Sequence, residues 1–215
     1  MQTLSAEHFL LDQVPLKYRL AIPTTLKSAY AAAELLIKQE PILQVASAVD
    51  NRGRIIQWAV DLAIEKLIKS GQWPFDFEWK SFAKPTGRYL RVRLSHSMLT
   101  VSQVSNAKKQ PRDVEFRGNS RLNNEWVFDF DDLRKEKEVL GLPHFLLIHG
   151  YQDLTFSHLA VPNALHNRGY IYRTPNILGM PHKIVDDAPP VEQTEFEAAM
   201  VLKEEIEKWQ KENDG

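Results

Sequence analysis

The sequence predicts an α+β fold: a helical layer first, then a mainly antiparallel sheet over about 76–174, then a C-terminal amphipathic helix packed on the domain. Apolar residues recur at helical spacing up to about residue 70, and the period changes to 2 after Trp73-Pro74. A helical stripe returns only at Phe196, Ala199, Leu202, Ile206 and Trp209. No internal repeat interrupts this order, so one domain spans 1–215: a helical region over 1–72, a sheet region over 73–175, an irregular proline-rich segment over 175–190 and a helix over 191–211.

Pro23 and the threonines at 24 and 25 open the first long helix, with Leu26, Tyr30, Ala33 and Ile37 on one face and Pro41 as its stop. Asp50-Asn51-Arg52-Gly53 reads as a turn. A second helix, from about Arg54 to Ser70, ends at Gly71 and keeps a narrow polar stripe of Gln57, Asp61, Glu65 and Lys69 on its solvent side. Arg88 to Leu94 alternates, with Leu90, Val92 and Leu94 on one face and Tyr89, Arg91 and Arg93 on the other. Met98 to Val104 is its hairpin partner, and Val114–Phe116 and Trp126–Phe128 are short strand candidates. Asp131 to Leu140 is a charged helical stretch. His144 to His149 has the pattern of a central strand buried on both faces, and Leu154 to Val161 returns antiparallel to it. Gly169 to Arg173 is one more strand.

Apolar residues make up 43% of the 215 and charged residues 26%, the balance of a globular protein, and 21 aromatic residues exclude disorder. The longest apolar run, Phe145 to Ile148, is far too short to span a bilayer, and the first residues show no basic n-region, so a cytoplasmic, soluble chain without membrane partners is expected. Cysteine is absent, which removes disulfides, thiolate metal sites and thiol nucleophiles. The net charge of −1 conceals a segregation: 81–121 carries a net +7 and 186–215 a net −7.

Four of the seven histidines (His144, His149, His158, His166) cluster in sequence. A hairpin with its turn at 150–153 would set His149 opposite Leu154 and His158 opposite Phe145. Both rings would then share a face about 13 Å apart at ~3.3 Å per residue, too far for one metal with ligand bonds near ~2 Å. No metal site or cofactor is expected on that count, and the bland alternative is four packing histidines. Glu78-Trp79-Lys80 matches the Glu-x-Lys element of metal-dependent nucleases, in which carboxylates hold a divalent cation and the lysine positions water. Asp61 or Glu65, or a histidine from the 144–166 region, is the further group such a hydrolase, acting on nucleic acid or a phosphorylated substrate, would recruit. The alternative is a solvated strand face beside a solvated helix stripe. No glycine-rich phosphate loop and no Gly-x-Ser-x-Gly elbow is present.

The basic middle offers a different chemistry. Tyr89, Arg91 and Arg93 would present an aromatic ring beside two guanidinium forks, and a loop over 106–124 would add Lys108, Lys109, Arg112, Arg117 and Arg121. Together they suit a nucleic acid or another polyanion. Set against that is pairing of these cations with the acidic C-terminal segment of the same chain. Three functions follow: a polyanion-binding protein using 81–121, a metal-dependent hydrolase, and a non-catalytic subunit whose charged faces meet a partner protein. Whether the chain is an enzyme, and its oligomeric state, stay open at this level.

Overall fold

The structure, a computed structural model, describes residues 5–82, 87–128 and 141–181 together with Lys203, with backbone alone for 125–128. The chain begins with α1 (Ala6–Gln13), α2 (Leu16–Arg19), α3 (Ile22–Gln39), a 3-10 turn at Pro41–Gln44, α4 (Ala46–Val49) and α5 (Arg52–Lys69). Strands β1 (Asp76–Ser81), β2 (Arg88–Arg93) and β3 (Met98–Val104) follow, then α6 (Glu115–Phe128), then β4 (His144–Gly150), β5 (Ser157–Pro162) and β6 (Tyr170–Arg173). The fold is α+β, as the change of period indicates.

The long helices start and stop for local reasons. Ser5 caps α1 by accepting the His8 amide at 3.1 Å, and Pro23 sits in the first turn of α3, where its missing N–H costs nothing. α5 starts two residues earlier than the sequence suggests, which brings Gly53 into its first turn. A methyl group there would approach the Tyr151 ring to 2.9 Å, so a larger residue would push that half-exposed ring aside. Gly71, at φ 74°, ends the helix in the left-handed conformation.

The strands lie in sequence order in one six-stranded sheet. Every pair is antiparallel except the central one, β3 beside β4, which is parallel with Met98 opposite His144 and Val104 opposite Gly150. One sheet face carries Leu90, Val92, Leu99, Val101, Phe145, Leu147, Leu159 and Val161 into a single apolar core with α1, α3 and α5. Trp73, fully buried and bonded through its indole N–H to the Tyr18 carbonyl at 3.0 Å, seals the end of that core. The opposite face is different in kind. Beneath α6 it buries Thr100, Ser102, His144 and His158 beside a small apolar group of Val104, Leu146, Ile148 and Ala160.

Three sequence expectations are corrected here. Val114–Phe116 and Trp126–Phe128 are not strands; residues 115–128 form α6, whose backbone bonds begin with Arg117 and Gly118 to Val114. Three-residue segments with two or three apolar residues cannot distinguish a strand from a helix turn, and here the crossover between parallel strands decides it. The β4–β5 register is displaced by three residues, with Ile148 opposite His158 and His149 opposite Ser157. The connection 151–156 is longer than a tight turn, so an odd shift moves His158 to the α6 face while His149 points into the helical layer. Asp61 is not on a solvated stripe: it is 5% exposed, whereas Trp58 on the same helix is 53% exposed. The expected helices at 131–140 and 191–211, and most of the segment 175–190, lie outside the described residues.

Asn124 anchors α6 to the sheet. Fully buried, it donates to the carbonyls of His144 (2.9 Å) and Pro162 (3.0 Å) and accepts the His144 amide (2.7 Å). Asn124→Ala would leave these three backbone groups unpaired, and the expected loss in a urea unfolding curve is on the order of 3 kcal/mol. A loss below about 0.5 kcal/mol would show that α6 is held some other way.

Candidate anion interface

Alternation along β1 and β2 places Glu78, Lys80, Tyr89, Arg91 and Arg93 on the α6 side of the sheet. They do not stand open together. Glu78 accepts from Arg91 through Nε (2.6 Å) and Nη2, and lies 2.9 Å from Lys80 Nζ and 3.4 Å from Arg93 Nε. Burial would raise the Glu78 carboxyl, but hydrogen bonds from Lys80 and Arg91 and the charges of Arg91 and Arg93 outweigh it and hold it at about 2. The Tyr89 ring stacks on Phe116 at 4.0 Å, with Phe82 at 5.4 Å, so α6 already uses the aromatic surface that the strand offers.

The other basic residues divide in two. Arg121 is fixed by Asp113, through bonds of 2.8 and 3.1 Å, and donates Nε to the Ala164 carbonyl. Arg117 reaches under α6 to Ser102 Oγ at 2.9 Å and the Arg112 carbonyl at 3.1 Å. Lys108, Lys109 and Arg112 are exposed, and among the described residues no carboxylate pairs with them.

The loop that carries those three is pinned from behind. Its carbonyls at Ala107, Lys109 and Pro111 accept from Arg173, Tyr170 (2.6 Å) and His166 (2.9 Å). Gln110 reaches across to the carbonyls of Asn163 (2.8 Å) and Gly169. Alternate carbonyls are thereby turned inward and satisfied, while the cationic side chains face out. The support comes from the 3-10 turn at His166–Arg168 and from β6, which also bring exposed Arg168 beside the loop; Gly169, at φ 69°, lets the Lys108 carbonyl come close. Arg168 is the residue that sequence reasoning missed. It lies 56 positions beyond Arg112 in a short turn without periodicity, and nothing local in the chain joins it to that loop.

The carboxylates named for a hydrolase do not converge. Trp79 points to the α5 side, where its indole N–H donates to Glu65 at 3.0 Å, while Glu78 and Lys80 point to the α6 side. Glu65 is also paired with Lys69 at 2.5 Å, and Asp61 is enclosed with Gln57 as its hydrogen-bond donor at 2.9 Å. Among the described residues no group of three or more His, Asp or Glu side chains is placed to hold a metal ion.

The histidines serve as packing groups with specific partners. His158 donates Nδ1–H to the Thr174 carbonyl at 2.7 Å. Tyr30 gives its hydroxyl proton to the Gly150 carbonyl, so His149 Nδ1, 2.7 Å away, is the donor to the Tyr30 oxygen. Burial pushes His144 and His149 down to about 3, so both are neutral at pH 7; Arg117 and Arg91 add to the effect at His144. No protein-family model, no curated protein and no solved structure matches the chain.

Burial raises the Asp61 carboxyl from 3.8 to about 7, with the Gln57 hydrogen bond opposing. Between those values the folded protein keeps a proton that the unfolded chain has lost. Stability therefore falls as pH rises through that window, and the deficit is complete above about pH 7. Asp61→Asn is expected to be more stable than the parent at about pH 8, on the order of 1–3 kcal/mol, and near parity at about pH 4. An equal difference at both pH values would contradict a protonated, buried Asp61.

Proposed function

We propose that the protein binds nucleic acid or another polyanion through the pinned loop 106–112 and the adjoining Arg168. The carrying observation is the loop's construction: Lys108, Lys109 and Arg112 face outward without a carboxylate partner among the described residues, and the carbonyls at 107, 109 and 111 are turned away and occupied. A phosphate backbone would meet three exposed cations on a loop whose backbone is already held in place before binding. Arg91, Arg93 and Lys80 form a second, partly neutralised group around Glu78. Met98, opposite Arg93, and Val104, next to the loop, are six steps apart on β3. That separation is roughly 20 Å at ~3.3 Å per residue, within the span of a few nucleotides.

Of the segment 186–215 only Lys203 is described. Lys203 pairs with Glu40 at 2.7 Å, at the C-terminal end of α3 in the helical layer. A partner-protein surface is the alternative that a specific observation favours: Ile42 (73% exposed), Val45, Val49 and Trp58 expose apolar area between α3 and α5.

Binding of a labelled oligonucleotide at low salt, followed by anisotropy, tests the proposal. Replacing Lys108, Lys109 and Arg112 together by alanine is expected to weaken it roughly 10- to 100-fold. Glu78→Gln releases the arginines of β2 and is expected to strengthen binding several-fold while costing about 1 kcal/mol of stability or less. Unchanged affinity in the triple variant would overturn the assignment of the loop, and no binding by the parent would leave the partner-protein surface as the working function.

A further inference from the structure

The two ends of the sheet are finished differently. β6 is four residues long, and its pairing with β5 shifts register at Val161 and Pro162, a short and irregular edge that resists further pairing. β1 runs six residues, Asp76–Ser81, in unbroken register with β2. Among the described residues no strand lies on its outer side. Trp79, near its middle, is 40% exposed.

Which backbone groups face outward follows from the ladder. The Phe82 amide donates to the Gly87 carbonyl at 3.1 Å, so Phe82 and Gly87 form a hydrogen-bonded pair. Such pairs alternate with non-bonded ones along an antiparallel ladder. With Lys80 opposite Tyr89 and Glu78 opposite Arg91, the even-numbered residues of β1 bond to β2. Phe77, Trp79 and Ser81 therefore turn their N–H and C=O groups away from it. Side chains alternate in the same rhythm, with Glu78 and Lys80 on the α6 face and Trp79 on the α5 face.

We propose that β1 is a self-complementary edge, on which a second copy of this chain pairs its own β1 antiparallel about a two-fold axis at Trp79. Trp79 then faces Trp79 of the second copy, and Phe77 faces Ser81 of the second copy. All of these residues carry outward groups, so each pair exchanges both of its backbone bonds. Centring the axis on Glu78 or Lys80 would also match outward groups, but it would set like charges face to face. Centred on Trp79, Glu78 lies opposite Lys80 of the second copy in a non-hydrogen-bonded pair, with Cα atoms about 4.5 Å apart. Opposite charges there are favourable, and the two Trp79 rings form an aromatic cross-strand pair on the α5 face. Arg91 and Arg93 stand on β2, one strand further from the axis, so moderate salt screens their mutual repulsion more than it weakens the facing pairs. The axis is perpendicular to the sheet, which sets both α6 faces on the same side of one continuous sheet. Nothing in this pairing depends on what the loop 106–112 binds.

The test is sedimentation equilibrium of the full chain at about 0.15 M salt, together with residue-resolved amide exchange at high and low protein concentration. A dimer with a Kd of about 10–100 μM is expected. The amides of Phe77, Trp79 and Ser81 should gain protection at high concentration, while those of Glu78 and Lys80, already bonded to β2, should not. Ser81→Pro removes an outward N–H and no bond to β2. It should weaken the dimer by about tenfold or more. Lys80→Glu, which sets a carboxylate opposite Glu78 of the second copy, should weaken it as well. A parent that stays monomeric at about 1 mM overturns the proposal. So does a dimer that Ser81→Pro leaves intact, or one whose added protection lies elsewhere, such as around Ile42 and Trp58. Because the exchange pattern is read on the parent, a variant that fails to fold cannot rescue the proposal.

Discussion

Parallel neighbours cannot be joined by a tight turn, so the pairing of β3 with β4 obliges the chain to leave the sheet and return at its starting end. Here α6 lies in that connection and covers the face that α1, α3 and α5 leave uncovered. Much else follows from this constraint. Without a crossover the α6 face of β1 and β2 would be solvated, and Arg91, Tyr89 and Arg117 would be ordinary surface residues. With it, Tyr89 is stacked, Arg117 is drawn under the helix, and Thr100, Ser102 and His144 become an interior polar layer.

The two layers are stabilised by different physics. The helical side is a continuous apolar core whose burial is non-directional, and substitutions there are felt through volume. The α6 side depends on directed bonds, with Asn124 on two strands and Arg117 on a third. Each such bond is modest, but a buried group left without one is costly. A polar interior that is nearly but not fully satisfied has unfilled valences, and those at Arg117 and His144 share one cleft.

Strong periodicity made the helices at 22–39 and 52–69, the β2–β3 hairpin and the doubly buried β4 readable from the chain. These segments repeat their pattern over enough residues for one face to be unambiguous. α6 was not readable. Its apolar residues Phe116, Leu122, Trp126 and Val127 are sparse among polar ones, and only the topology makes it a helix. The β4–β5 register escaped because hydrophobic runs buried on both faces carry no alternation to set it. Asp61 looked solvent-facing because the sequence pattern shows a polar stripe without showing which side of the helix its neighbours occupy. For the candidate site, the sequence named the exposed cations of the loop. It did not show that Glu78 neutralises the strand arginines or that a turn near residue 168 supplies a further one.

Amide hydrogen exchange with and without a saturating oligonucleotide at low salt tests most directly whether the pinned loop is the working surface. The expected result is added protection confined to 106–112 and the turn at 166–168, with α3 and α5 unchanged. Protection on the helical layer around Ile42 and Trp58, with none at the loop, would contradict the account.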